Sequence, residues 1–325
     1  MSTAQIETNL NAANKPVVKK QSDFKRQFKK YKWLLLMTVP GIIYLFINCY
    51  LPMFGIILAF KKLNYAKGIW GSDWVGLDNF RFLFLSPDAY LITRNTLAYN
   101  GVFILINLVL SVGVAILLNE IKNKLLSRFY QSSMLLPHLM SAVVVAYLGY
   151  AFLSSDTGLI NKKIMPMLGN DPVSWYNEAG YWPYILTLIN VWKNVGFQCI
   201  IYLAAIIGID SEYYEAARID GASKWQMATR ITLPLISPII ITMTLLQVSG
   251  IMRSDFGLFY QVPMNSGPLF PTTSTIDTFV YRSLTTLGDI GMSSAAGLYQ
   301  SVVCLVLILA ANFVVRKINK NDALF

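Results

Sequence analysis

The sequence predicts an all-α polytopic membrane protein with six transmembrane helices. The chain has 325 residues, of which 55% are hydrophobic and only 14% are charged. A soluble domain of this size needs more charge to cover its surface. The hydrophobic residues also gather into runs of about twenty, which is the length that crosses a bilayer core of about 30 Å. This composition excludes a soluble enzyme.

Six hydrophobic runs are predicted to span the membrane. Their approximate limits are residues 33–60, 97–118, 134–153, 183–209, 235–252 and 292–315. We therefore expect a basic N-terminal tail at residues 1–32, one transmembrane domain at residues 33–316 and a short C-terminal tail at residues 317–325. No low-complexity linker divides the transmembrane domain.

Positive charge predicts the orientation of the chain in the membrane. The formal net charge is +10, and much of the excess lies in the N-terminal tail. Lys and Arg are also more frequent in alternate loops, which places both termini and the loop at residues 210–234 in the cytoplasm of a bacterial cell. The tail is expected to contact anionic membrane lipid. Nucleic-acid binding is not expected, because no nucleic-acid-reading module accompanies the tail.

The loop between the fourth and fifth runs has the composition of a docking surface. Small and charged residues alternate there, and a Leu-Pro pair precedes the fifth span: Glu215, Ala216, Ala217, Asp220, Gly221, Leu233 and Pro234. Gly221 permits a sharp turn that other residues resist. We expect two short helices that meet at this turn, the first capped by Ser211 and the second by Ser223 or Asp220. Glu215 and Arg218 are spaced to pair on one helical face.

Polar residues inside the fourth and fifth runs are candidate solute-binding residues. Asn190, Asn194 and Phe197 fall on one helical face, and polar groups at membrane depth usually face a cavity. Amides hydrogen-bond sugar hydroxyls and an aromatic ring stacks on a sugar. The alternative is that the two asparagines hydrogen-bond a neighbouring helix. The remaining candidates are Lys193 in the fourth run and Gln247, Gly250 and Ser254 at the fifth.

Lys193 has three possible roles at its position near the middle of the fourth run. It can pair with Asp255, extend its amine towards the membrane surface, or meet an anionic substrate such as a uronate-bearing sugar. Pairing or extension is the preferred interpretation. We expect Gln247, Gly250 and Ser254 to line the same cavity as the asparagines, because they are spaced three and seven residues apart.

Motifs for chemistry are absent from this sequence. It contains no G-x-x-x-x-G-K-[ST] phosphate-binding loop, so ATP and Mg are expected to bind a separate polypeptide. The three cysteines and the single histidine have no metal-ligand spacing. No catalytic constellation supports a membrane enzyme, and no carboxylate in the middle of a span supports a secondary transporter.

The loop resembles the EAA loop of permease subunits from binding-protein-dependent ABC importers. The segment from Asn190 through Trp192 to Asn194 is similar to the corresponding helix of maltose-type permeases. The segment from Ala295 to Ser301 looks like the last helix of oligosaccharide-type permeases. These resemblances cover most of residues 33–320. They imply a type I importer fold in which the EAA loop is the coupling helix that docks on the ATPase, and they make Asn190, Lys193, Asn194 and Phe197 substrate candidates.

The resemblance also implies partners and a mechanism. A second permease, expected to be a distinct homologue, completes the pathway. Two ATPase subunits dock on the coupling loops, and an extracellular or periplasmic sugar-binding protein delivers an oligosaccharide. Transport proceeds by alternating access in the cytoplasmic membrane. A permease for amino acids, peptides or phosphate remains the alternative within this class.

Overall fold

The computed structural model describes residues 28, 30–81 and 86–318. Most of the predicted N-terminal tail lies outside the described residues, namely residues 1–27 and Lys29. The predicted C-terminal tail also lies outside them from residue 319 onward. The described chain divides into two compact units that adjoin in sequence at Gly55 and Ile56. Each unit is considered by itself.

The first unit contributes α1 (Lys32–Leu45), which continues through a π-helical segment at Phe46–Tyr50. Neither segment contains a buried residue. Its side chains are apolar on every face, and such a helix is stable when lipid or another protein surrounds it. Pro40 is tolerated inside α1, as expected for a membrane helix. A 3-10 helix at Leu51–Phe60 then follows in the chain.

The second unit is a helical bundle with one small hairpin. Strands β1 (Lys61–Lys62) and β2 (Asp73–Trp74) pair antiparallel. The helices in chain order are α2 (Gly68–Gly71), α3 (Pro87–Asn119), α4 (Lys124–Leu139), α5 (Ala142–Leu153), α6 (Met165–Met167), α7 (Trp182–Ile207), α8 (Ser211–Ile219), α9 (Lys224–Met227), α10 (Leu233–Ser249), α11 (Phe270–Thr273), α12 (Ile276–Arg282) and α13 (Ile290–Ile318).

Five helices in the described chain are long and apolar enough to cross a membrane, at Lys32–Phe60, Asp88–Asn119, Ala179–Ile207, Lys224–Ser249 and Ile290–Lys317. The bent pair α4 and α5 gives a sixth span if both helices are counted together. The prediction of an all-α polytopic membrane protein is confirmed. The span predicted at residues 134–153 is not one helix, because α4 and α5 meet at an angle of 96°.

The bend between α4 and α5 has a local cause. Pro137 lies in the last turn of α4, and Met140 has extended backbone. Ser141 then caps α5 by accepting a hydrogen bond from the backbone N–H of Val144, which begins a new helix in a new direction. His138 consequently lies at the end of a helix rather than at the start of a span.

Helix α7 is the centre of the second unit, since it packs against α3, α4 and α10. Trp182 and Leu186 are fully buried near its start, and Tyr202 is fully buried near its end. Gly196 lies against α4 so closely that a Cβ atom there would collide with the carbonyl oxygen of Met134. These contacts hold the middle of α7 at a fixed distance from its neighbours.

Candidate functional site

The loop between α7 and α10 forms two short helices, as the sequence predicts. Gly221 separates α8 from α9 and has a φ of +76°, a left-handed conformation that favours glycine. Ser223 caps α9 in a reciprocal pair of hydrogen bonds with Gln226. The predicted cap of α8 is wrong by one residue. Asp210, not Ser211, accepts a hydrogen bond from the backbone N–H of Glu212, at 3.1 Å.

Two side-chain contacts position this coupling segment (residues 210–234). Within the segment, the Tyr214 hydroxyl of α8 lies 2.9 Å from Oγ1 of Thr232, just before α10. Between the segment and the rest of the bundle, Lys224 Nζ lies 2.6 Å from Oε2 of Glu120 at the end of α3. The first contact links α8 to the start of α10, and the second links α9 to the end of α3.

The residues predicted to dock an ATPase are mostly exposed in this chain. Glu215, Ala216, Asp220, Gly221 and Pro234 are exposed, Ala217 is half-buried, and Leu233 packs on the cluster of buried residues around Tyr202. The predicted pairing of Glu215 with Arg218 is not observed. The ion pairs among the described residues join Lys67 to Asp73, Lys193 to Asp255 and Lys224 to Glu120.

A second feature is a polar cavity between α3, α7 and the end of α10. Its volume is about 200 Å³. Four predicted residues line it, namely Asn190, Asn194, Gln247 and Gly250, together with Asn100, Asn107, Gln198 and Arg253. We call this space the amide cavity, because five of its lining side chains are Asn or Gln from α3 and α7, and Gln247 of α10 is a sixth.

Asn190 serves a structural role in this cavity. It is 6% exposed, and its Oδ1 accepts a hydrogen bond of 2.8 Å from Nδ2 of Asn107 on α3. The structure therefore shows Asn190 in the second of the two predicted roles, a hydrogen bond to a neighbouring helix. Asn194 lies one turn further along α7 and is half-buried at the cavity wall.

Three buried polar atoms of the amide cavity have no hydrogen-bond partner in the described chain. They are Oδ1 of Asn107, Oε1 of Gln198 and Nε2 of Gln247. Buried polar groups are nearly always paired, and those that are not usually await a ligand or a water. These atoms are almost fully shielded in this conformation, so a polar molecule in the cavity would reach them only after the side chains reorient.

Three of the predicted substrate residues lie outside this cavity. Phe197 stacks on His138 of α4 with ring centroids 4.6 Å apart, because α4 covers that turn of α7. The Ser254 hydroxyl donates a hydrogen bond to Oδ2 of Asp277, at 2.8 Å, and lies 2.7 Å from the Thr275 hydroxyl. The chain leaves α10 after Ser249, so helical spacing no longer predicts the direction of Ser254. Neither residue lines the amide cavity, and the role in substrate binding that the sequence suggests for them stays a prediction.

Lys193 is the third residue outside the cavity. Its Nζ lies 3.8 Å from Oδ2 of Asp255, and its side chain is 16% exposed while that of Asp255 is 41% exposed. The preferred interpretation, pairing with Asp255, is correct. Asp255 Oδ1 also accepts a hydrogen bond from the backbone N–H of Leu258. The pair therefore fixes the segment after α10 against the middle of α7.

The sequence analysis missed four polar residues that line the cavity: Asn100, Asn107, Gln198 and Arg253. A signal existed for three of them. Asn100 and Asn107 lie seven residues apart in an apolar run, and Gln198 follows Asn194 by four residues, so both pairs share a helical face. Arg253 lies in irregular backbone, where periodicity gives no information.

Comparison with known proteins identifies the family. A family described as the binding-protein-dependent transport system inner membrane component matches residues 107–320. The chain belongs to this family. It is therefore a permease component of an ABC importer in the inner membrane and not an enzyme, and the predicted class of function is confirmed.

Individual relatives cover nearly the whole permease. It is 35% identical to protein LplB of Bacillus subtilis (strain 168) over 90% of this chain and 91% of LplB. It is 36% identical to the polygalacturonan/rhamnogalacturonan transport system permease protein YteP of the same strain, over 88% of each chain. A crystal structure of a bacterial ABC transporter that imports the acidic polysaccharide alginate matches with a TM-score of 0.82 and 33% identity, over 90% of this chain and 98% of the other. The predicted type I permease fold is confirmed.

Proposed function

We propose that this chain forms half of the translocation pathway of an ABC importer for an oligosaccharide. The observation that carries this proposal is the amide lining of the cavity, in which Asn107, Gln198 and Gln247 each keep a polar atom without a hydrogen-bond partner. A sugar hydroxyl both donates and accepts hydrogen bonds, so it can satisfy amide oxygens and amide nitrogens alike. An amino acid would require a charged pair for its ammonium and carboxylate groups, and no carboxylate lines the amide cavity.

An acidic oligosaccharide fits the cavity best. Arg253 is exposed at the cavity wall, and none of the ion pairs among the described residues includes it. A guanidinium binds a carboxylate through two parallel hydrogen bonds. YteP is named for polygalacturonan and rhamnogalacturonan, and the matched crystal structure is that of an alginate importer. Both names support a uronate-bearing cargo for this chain.

The coupling segment provides the route for energy. A second permease would complete the pathway, and two ATPase subunits holding ATP and Mg would dock on the exposed face of α8 and α9. This places the segment and both termini in the cytoplasm, in agreement with the distribution of Lys and Arg. A structure of the alginate importer in complex with its alginate-loaded periplasmic protein supports delivery of the cargo by a binding protein on the other side.

Transport of the reconstituted importer tests this function. We expect Gln247→Leu and Gln198→Leu to raise the oligosaccharide concentration for half-maximal uptake about tenfold, since each removes a hydrogen bond and leaves its partner unpaired. Gln131→Leu is the matched control, because Gln131 lies on α4 outside the cavity and bonds only Ser127. Equal uptake kinetics for all three variants would remove the cavity from the pathway.

Arg253→Gln tests the charge of the cargo in the same assay. Uptake of an acidic oligosaccharide should fall about tenfold while uptake of a neutral one of equal length changes little. Uptake of peptides or amino acids in place of any sugar would contradict the proposed function itself.

A further inference from the structure

A second groove lies on the opposite face of α3 from the amide cavity. It has a volume of about 680 Å³ and runs between α3 and α7. Ala98, Val102 and Ile106 line it from α3, whereas Asn100 and Asn107 line the amide cavity. At about 100° per residue, these two sets lie about 150° apart around the helix. The groove is therefore separate from the amide cavity.

The groove combines a cation at one end with an apolar floor. Arg94 lies in the N-terminal part of α3 and is exposed. Its guanidinium donates one hydrogen bond to Oδ1 of Asn95, at 3.1 Å, and no ion pair among the described residues involves it. Below it, Val102, Ile106 and Leu188 supply apolar walls.

The dimensions of the groove match one leaflet of a bilayer. Arg94 and Ile106 are separated by twelve residues of α3, which is about 18 Å along the helix axis. One leaflet of the hydrocarbon core is about 15 Å deep. A cation at the membrane surface therefore stands above an apolar channel that reaches about the middle of the bilayer.

We propose that this groove is a binding site for one anionic phospholipid, with its phosphate on Arg94 and one acyl chain along Val102, Ile106 and Leu188. An apolar groove in a membrane can hold either a phospholipid or a helix of another protein, and the charge of Arg94 favours the phospholipid. A helix of another protein would supply apolar side chains but would leave Arg94 without an anion. A phospholipid supplies the anion and the apolar chain in one molecule.

Lipid retention in the assembled importer tests the site. The complete complex is placed in nanodiscs of phosphatidylcholine with a small fixed fraction of phosphatidylglycerol and is then extracted with detergent. Native mass spectrometry measures the lipid that stays bound to it. We expect the wild-type complex to retain phosphatidylglycerol and Arg94→Gln to retain about tenfold less. Arg128→Gln is the matched control, because it removes an exposed cation from α4, and it should retain the wild-type amount.

A second variant addresses the apolar part of the site. Leu188 is 70% exposed, so Leu188→Trp fills the groove without disturbing the interior, and it should also reduce retention. Leu305→Trp on α13, where Leu305 is 57% exposed, should not. Equal retention by Arg94→Gln and Arg128→Gln would overturn the proposal. A high-yield disulfide between Leu188→Cys and a cysteine placed on the partner permease would overturn it as well, because protein would then occupy the groove.

Discussion

The coupling segment and the amide cavity are built in opposite ways. In the coupling segment, the contacts that set the shape are short in sequence, such as Asp210 to Glu212 and Ser223 to Gln226. In the cavity, the contacts join residues that are far apart, such as Asn107 to Asn190 and Asn100 to the backbone of Ile251. The segment proposed to dock the ATPase is locally specified, whereas the cavity proposed to bind solute depends on the packing of the whole bundle.

The largest effect is expected from a substitution that changes the exposed surface of the coupling segment but leaves its fold intact. Gly221→Arg should abolish uptake, because it places a long cation on the exposed turn between α8 and α9. A Cβ atom at Gly221 meets nothing within 4 Å, so the chain still folds, at a cost of about 1 kcal/mol for a positive φ. The measurement is oligosaccharide uptake and ATPase activity in proteoliposomes.

Gly221→Asn is the matched control, because asparagine tolerates the left-handed conformation. It should retain most of the uptake. If Gly221→Arg transported as well as Gly221→Asn, the exposed turn would have no role in docking.

An intermediate effect is expected at the ion pair that holds the cavity wall. Lys193→Met leaves Asp255 without its partner beside the middle of α7, and uptake should fall about tenfold. The effect on stability should be smaller than for a fully buried pair, because Asp255 is 41% exposed and solvent screens its charge.

The exchange Lys193→Asp with Asp255→Lys decides how the pair acts. Restored uptake in the double variant would mean that the pair positions the segment after α10. If both the exchange variant and Lys193→Met with Asp255→Asn stayed inactive, the charge of Lys193 would act on the solute instead.

The contrast between the two regions also explains which predictions succeeded. Hydrophobic run length predicted the spans, and Gly221 and Ser223 predicted the two helices of the coupling segment, because both signals act over a few residues. The bend between α4 and α5 was not predicted, because neither Pro137 nor Ser141 alone indicates the end of a helix. Proline is also tolerated inside membrane helices, and serine does not always cap a helix. Phe197 was assigned to the cavity on helical phase alone, and phase does not tell which neighbouring helix covers a given turn.

Residues of the cavity were therefore only partly predictable. Asn194, Gln247 and Gly250 were found from spacing, but Asn190 proved to be engaged by Asn107. Arg253 could not be found, because it lies where the chain has left α10 and is brought to the cavity by tertiary contacts. Asn100 fixes that segment by donating hydrogen bonds to the carbonyl oxygens of Ile251 and Arg253, at 2.7 and 3.0 Å.

The smallest expected effect concerns the cap of α8 and tests how local the coupling segment is. Asp210→Ala removes the side chain that accepts from the backbone N–H of Glu212, which should destabilise the first turn of α8 by about 1 kcal/mol. Hydrogen exchange of that turn in the assembled importer should quicken about fivefold, while uptake falls less than about twofold. Ser211→Ala is the control, because Ser211 is not the cap, and its exchange rates should match the wild type. If Ser211→Ala quickened exchange and Asp210→Ala did not, Ser211 would be the cap, as first expected from the sequence. Helix α8 would then begin at a different residue, although Tyr214 still contacts Thr232.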